Sequence, residues 1–138
     1  MSALESENIT LYGYWRSSAS WRIRIVLNLK KIQFVNLPIN LLLGEHKEQS
    51  YLEMQPQGYV PCMKFPGNRM VIQSPAIAEL LEEQYPQEPL LPGDCWERAK
   101  VREITALISC DIHPVQNLNV LRYAGEERKA EWAKRIIY

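Results

Sequence analysis

Tyr14-Trp15-Arg16-Ser17-Ser18-Ala19-Ser20-Trp21-Arg22-Ile23-Arg24 is the stretch in which a strand becomes a helix. The residues before it, Ile9-Thr10-Leu11-Tyr12-Gly13-Tyr14, are β-branched and aromatic and read as a short strand over 10–14. Beyond it, Ile23, Val26, Leu27 and Leu29 fall at helical spacing and predict a helix over about 19–31. A serine cluster at such a junction caps the helix and turns hydroxyls and backbone N–H groups towards a ligand lying over the strand ends. On these residues alone, capping and ligand contact are equally good readings.

Working outward, Gln33-Phe34-Val35-Asn36-Leu37-Pro38 reads as a second strand, and strand–helix–strand order predicts a right-handed crossover and a parallel pair. Gly44 to Met54 is a polar loop entering a weak, short helix, and Pro56-Gln57-Gly58 is turn chemistry. Val60 to Phe65 and Met70 to Ile72 are two strands joined by Pro66-Gly67-Asn68, an antiparallel hairpin. Ser74-Pro75 supplies an N-cap and a first-turn proline, and Ile77, Leu80, Leu81 and Tyr85 form the buried stripe of the helix that follows. The order βαβ then ββα gives an α/β fold of thioredoxin-like arrangement over residues 1–86, with 1–8 a polar lead-in.

Prolines dominate the connector that follows, and 87–93 reads as an interdomain linker. Asp94 and Glu97 then make a capping pair for a new helix, which Val101, Ile104, Ile108, Ile112 and Val115 continue at helical period. Pro114 is expected to kink it and Gly125 to stop it. Glu126 to Tyr138 resumes a helix in which Trp132, Ala133, Ile136 and Ile137 point to burial. Residues 94–138 are thus the beginning of an all-helical domain.

Composition bounds the function. The 138 residues are 46% hydrophobic and 23% charged, with 16 basic side chains balancing 16 acidic ones. That neutrality speaks against nucleic-acid and anionic-membrane partners, which favour a basic face. No apolar run spans a bilayer and no leader pattern opens the chain, so the expected location is cytoplasmic. Cys62, Cys95 and Cys110 form no Cys-x-x-Cys pair, and are expected to be small buried hydrophobes in neither a disulfide framework nor a zinc site. His46 reads on its own as an exposed loop histidine, and no metal site is expected from the two histidines. Arg16, Arg22 and Arg24 are expected to be solvated or paired with acidic side chains.

A cysteine pair at the start of the first helix would suggest thiol–disulfide exchange, but the run here holds hydroxyls. A hydroxyl donates a hydrogen bond to a bound thiol's sulfur and, with the helix dipole, favours the thiolate. From Ser17 to Ile25 the chain resembles the Ser-Ser-Cys-x-Trp-Arg-Val-Arg-Ile motif of the zeta class of glutathione transferases, the maleylacetoacetate isomerases. Ile23 is a conservative difference, and Ala19 stands where that family usually has Cys. The segment Asp111-Ile112-His113-Pro114-Val115-Gln116-Asn117-Leu118-Asn119 resembles the same class.

The resemblance implies Ser17 as principal catalytic hydroxyl with Ser18 beside it, and glutathione as cofactor. It places Ser17, Ser18, Ala19, Ser20, Trp21 and Arg22 along the cofactor and Gln73 and Ser74 at its γ-glutamyl end. Val60, before a cis Pro61, pairs its backbone with the cysteinyl part, and His46 meets the glycyl carboxylate. His113, Asn117, Leu118 and Asn119 belong to the ligand site, although polar residues lining a helix face are a competing reading for Asn117 and Asn119. The implied reaction is glutathione-dependent cis–trans isomerisation of maleylacetoacetate to fumarylacetoacetate, in phenylalanine and tyrosine breakdown, by a homodimer acting on a small dicarboxylate. Loss of the cysteine at Ala19 is expected to limit the isomerase. General glutathione conjugation and a non-catalytic binding or assembly module are the alternatives, with a thioredoxin-type reductase a weaker third. Compared with that class, the chain carries only the first two helices of the second domain. It is therefore expected to be a truncated form with weak isomerase activity that self-associates through its helices.

Overall fold

A computed structural model describes residues 8–137, leaving the side chains of Ile136 and Ile137 undescribed. The lead-in expected over 1–8 thus lies, apart from Asn8, outside the described residues, as do Tyr138 and the expected burial of Ile136 and Ile137. Four strands form one sheet in the order β2-β1-β3-β4: β1 Thr10–Gly13, β2 Val35–Pro38, β3 Cys62–Phe65 and β4 Arg69–Ile72. β1 and β2 are parallel, with Thr10 opposite Val35, because the helix α1 (Ser18–Leu29) carries the chain back between them. β1 and β3 run antiparallel with Leu11 opposite Met63, and β3 and β4 form the expected hairpin with Cys62 opposite Ile72.

The two periodicities meet in one core. Ile9 and Leu11 alternate onto the same sheet face as Met63 and Phe65. Ile23 and Leu27, one helical turn apart on α1, and Ile77 and Leu81 on α3 (Ser74–Gln84) cover that face. Leu80 and Tyr85 pack beside them, half-buried. Beyond the opposite face, a 3₁₀ turn (Glu45–Lys47) leads into the short helix α2 (Gln49–Leu52), whose Tyr51 packs edge-on against Tyr12 with ring centroids 6.5 Å apart. β2 begins two residues later than expected, and its four residues are all exposed.

Three expectations at element ends need correction. The N-cap of α3 is Gln73, at φ 70°, and Ser74 is already helical. Asp94 caps α4 (Cys95–Ala106) by accepting from the N–H groups of Trp96 and Glu97, but Glu97 contributes its backbone donor to this cap. The expected continuous helix through Val115 widens instead into a π-helical stretch, Leu107–Ile112, and then a 3₁₀ turn, Pro114–Gln116. A separate helix, α5 (Leu118–Ala124), follows before Gly125, at φ 80°, ends it and α6 (Glu126–Ile137) begins.

The chain divides into two compact units, Met1–Leu90 and Leu91–Tyr138. Within the second, no residue of α4 is buried among the described residues. Trp132, expected inside, is 36% exposed, its indole N–H donating to the Val115 carbonyl at 2.9 Å. Cys62 is buried, but Cys95 and Cys110 are exposed because the helices carrying them bury little surface.

At the far end of the first unit, Lys30 is the least conventional core residue. Its side chain is wholly buried, with Nζ 2.6 Å from Glu82 Oε2. It also donates to the carbonyls of Tyr85 at 2.8 Å and Glu88 at 3.0 Å, so each ammonium proton has an acceptor. The Glu82 carboxylate in turn accepts from the Leu90 N–H. Lys30→Met is expected to destabilise the fold by about 3 kcal/mol or more, because it strands a buried carboxylate. Adding Glu82→Leu should recover most of that loss, and denaturant unfolding of both variants checks it.

Candidate functional site

Helix α1 begins at the serine run because two of its hydroxyls build the junction. Ser17 is the N-cap, and its Oγ accepts from the Ser20 N–H at 3.1 Å. An accepting hydroxyl keeps its own proton, so Ser17 still holds a donor at the helix's positive end. Ser20 is wholly buried, and its Oγ accepts from the Tyr14 N–H at 3.3 Å. A Cβ on Gly13 would stand 3.1 Å from Ser20 Cβ and Oγ, so the glycine lets helix and strand approach this closely. Ser20 is thereby held inside the junction, away from any surface ligand. Ser18 and Trp21 are exposed, and Ala19 is half-buried.

Of the arginines expected to be solvated or paired with acidic side chains, Arg16 is exposed, whereas Arg22 and Arg24 hold a hydroxyl and backbone carbonyls. Arg22 Nη1 donates to Ser74 Oγ at 2.7 Å, joining α1 to the start of α3. Arg24 donates to the carbonyls of Tyr14, at 3.5 Å, and Trp15, at 3.1 Å, which fixes the turn before Ser17. Arg16 lies over the Trp15 ring, 5.6 Å from its centroid, and is exposed.

The start of α3 differs from that of α1 in having no side-chain cap. Its first-turn N–H groups are therefore available to an outside acceptor, with the helix dipole behind them. Gln73 sits at φ 70° and ψ 110°, a conformation that costs a non-glycine residue about 1–3 kcal/mol and that surrounding contacts must maintain. One of those contacts joins Gln73 Nε2 to Gln57 Oε1 at 2.9 Å. The spacing of the sequence marked Gln57 only as a turn residue.

The loop carrying Gln57 is itself anchored. Val60–Pro61 is a cis peptide bond, as expected from the resemblance. The Tyr51 hydroxyl donates to the Tyr59 carbonyl at 2.6 Å. His46 is half-buried in its 3₁₀ turn, in place of the exposure its loop position suggested. Its carbonyl oxygen lies 2.9 Å from where a Cβ on Gly58 would stand, and Gly58 has φ 63°, so the two loops meet only because residue 58 is glycine.

The structure thus joins Arg22 to Ser74 by a hydrogen bond, sets Ser17 as the cap of the helix that carries Arg22 and Gln73 as the residue before Ser74, and brings His46 to the loop that leads into Val60. His113, Asn117, Leu118 and Asn119 lie in the second unit. There Asn117 caps α5, its Oδ1 accepting from the Asn119 N–H at 3.1 Å, and Leu118 is exposed. His113 is half-buried and closes the π-helical stretch through its N–H to the Ile108 carbonyl at 2.8 Å. No cluster of metal-ligating side chains occurs among the described residues, and no helix there is long and apolar enough to cross a membrane.

Residues 11–89 match the family model for the N-terminal domain of glutathione S-transferase. The chain is 47% identical over 129 residues to a maleylacetoacetate isomerase of Pseudomonas aeruginosa, covering 88% of this chain and 61% of that protein. The holo structure of a maleylpyruvate isomerase, a bacterial zeta-class glutathione transferase, superposes with TM-score 0.80 at 43% identity, over 86% of this chain and 55% of that one. A maleylacetoacetate isomerase from Methylobacterium extorquens, solved with malonate and glutathione, gives TM-score 0.84 at 35% identity, over 92% of this chain and 62% of its own. The chain therefore spans less than two thirds of the length of each.

Burial beneath this loop makes the site's support pH-sensitive. Burial pushes the Cys62 thiol up from 9.0 to about 11, and it also raises the Tyr51 hydroxyl, with Cys62 and Tyr12 adding to the effect. Both groups are acids whose pKa in the folded state lies above the unfolded value. Their stabilising contribution is complete below the unfolded values and disappears as pH climbs through the folded ones. Unfolding free energy is expected to fall between pH 9 and 11, and less steeply in Cys62→Val, as denaturant titrations at stepped pH will show.

Proposed function

The chain belongs to the glutathione S-transferase family, and from that premise we propose that it binds glutathione at the serine junction and uses it to isomerise a small, conjugated cis-dicarboxylate. The observation that carries this reading is the pairing of two helix N-termini across the Arg22–Ser74 hydrogen bond, one with a hydroxyl and the other without a cap. The uncapped start of α3, with Gln73 and Ser74, suits the carboxylate and ammonium of a γ-glutamyl group. The backbone of Val60 suits the cysteinyl amide, and the His46 turn the glycyl carboxylate.

Bound there, glutathione would supply a nucleophilic thiolate, the chemistry by which a conjugated cis double bond can turn to trans with the thiol recovered unchanged. The protein's task is to hold that sulfur ionised. Ser17 donates a hydrogen bond from its hydroxyl to the sulfur, the α1 dipole adds positive potential, and Ser18 stands beside it on the helix's first turn. Arg16, the residue before Ser17, offers an exposed guanidinium, a fitting partner for a substrate carboxylate. The maleyl substrates of the similar isomerases support this substrate class, and the malonate-bound neighbour points the same way. The same reading carries a cytoplasmic homodimer working in phenylalanine and tyrosine breakdown.

Ala19 favours a second reading, glutathione conjugation, because it removes the sulfur that the zeta motif usually carries beside the hydroxyls. Turnover of chlorinated acids with none of maleylacetone would select it.

Ser17→Ala removes both the cap and the hydroxyl, whereas Ser17→Gly keeps most of the cap's stabilisation. Ser17→Gly should therefore fold and bind glutathione near the parental affinity, yet lose the ultraviolet thiolate signal and about 10²-fold in maleylacetone turnover. Parental turnover in this variant excludes the role. Calorimetry showing no glutathione binding to the parent chain at millimolar ligand excludes the reading altogether.

A further inference from the structure

We infer that Gln57 is a positioning residue for the ammonium group of glutathione, acting through Gln73. The inference rests on the glutathione reading above and extends it to a residue outside the serine run and the helix starts. Three glutamines act in sequence, Gln55 on the backbone of Gln57 and Gln57 on the side chain of Gln73. Gln55 is 1% exposed, and its Oε1 accepts from the Gln57 N–H at 2.6 Å. The Gly58 N–H returns to the Gln55 carbonyl at 2.9 Å, so the turn that carries Gln57 is fastened to a buried side chain. From that turn Gln57 Oε1 accepts from Gln73 Nε2 at 2.9 Å.

The consequence follows from the chemistry of a primary amide. Its nitrogen only donates and its oxygen only accepts. When Gln57 takes one N–H of the Gln73 amide, the Gln73 side chain is fixed with that nitrogen towards Gln57 and its Oε1 on the other side. An oriented carbonyl oxygen beside a helix start recognises a cation in a site otherwise built for an anion. The α-ammonium of a γ-glutamyl group, next to its α-carboxylate, presents that pair of charges. Gln73 also has the strained backbone, φ 70°, and the Gln57 hydrogen bond, besides helping to hold it, sets the rotation of its side chain.

The test compares glutathione with glutaryl-cysteinylglycine, which is glutathione without its α-ammonium, on the full chain by calorimetry. Gln57→Ala should weaken glutathione by about three- to tenfold, the size of one neutral hydrogen bond, and the glutaryl analogue by less than twofold. Gln57→Met, close in shape but without the amide, should behave the same and keeps the test open if the alanine variant folds poorly. Equal weakening of both ligands overturns the inference, since it marks a general loosening of the loop. Unchanged glutathione affinity in both variants overturns it too. If the parent chain binds neither ligand, the glutathione reading itself fails, and the parental titration shows this before any variant is made.

Discussion

The contact on which the rest of the site depends is the closest approach of β1 to α1, where Ser20 packs on Gly13 and takes the Tyr14 N–H. It fixes the height of the helix over the sheet, and with it every group in the first turn. Ser17 then caps the helix from outside the core while Ser20 holds it from inside. Arg24 ties the carbonyls of Tyr14 and Trp15 back to the helix, so the turn before Ser17 cannot swing away. A hydroxyl that must meet a sulfur within hydrogen-bond distance needs this rigidity, because a misplacement of about 1 Å can cost a large factor in rate. The three serines therefore differ in place: Ser20 is buried in the junction, Ser17 caps the helix from outside and is the one proposed to meet the sulfur, and Ser18 is exposed.

Much of the first unit could be read from periodicity. Ile9 and Leu11, Met63 and Phe65 alternate as strands do, and Ile23 with Leu27 and Ile77 with Leu81 repeat at one turn, so the order of elements and the parallel and antiparallel pairings followed. What stayed hidden was set by long-range geometry. Ser74 looks like an N-cap in any local window, but its oxygen meets Arg22, 52 residues earlier, and the cap position falls to a left-handed Gln73 that no propensity favours. Arg22 and Arg24 likewise meet a hydroxyl and carbonyls that only the folded junction brings within reach.

The second unit was read less well for a different reason. Its apolar positions keep helical spacing, but α4 buries none of its residues among those described, so spacing alone did not decide where the helix ended. The π-helical stretch before Pro114 lengthens the local turn, and the proline, lacking an N–H, cannot continue it. Asn117 then opens α5 with its own side chain. The motif Asp111 to Asn119 therefore encodes the break between α4 and α5 as well as polar groups. That dual use explains why the residues of the motif could be identified in the sequence while their conformations could not.

The two helix starts of the first unit show how one fold makes unlike charges welcome in one place. α1 is capped by its own serine, so its dipole acts on whatever lies at the Ser17 hydroxyl rather than drawing an anion onto bare N–H groups. α3 has no side-chain cap, and its Gln73 is held in a strained backbone that local sequence would not choose. Such strain persists only where neighbouring contacts determine the conformation, and here they come from the Arg22–Ser74 hydrogen bond on one side and the Gln57 amide on the other. The first contact depends on α1 and so on the Gly13–Ser20 approach. The second depends on a turn fastened by Gln55 and Gly58. The Ser17 hydroxyl and the uncapped start of α3 are thereby both held through α1, so the two groups that the proposed glutathione site needs stand in place before any ligand arrives.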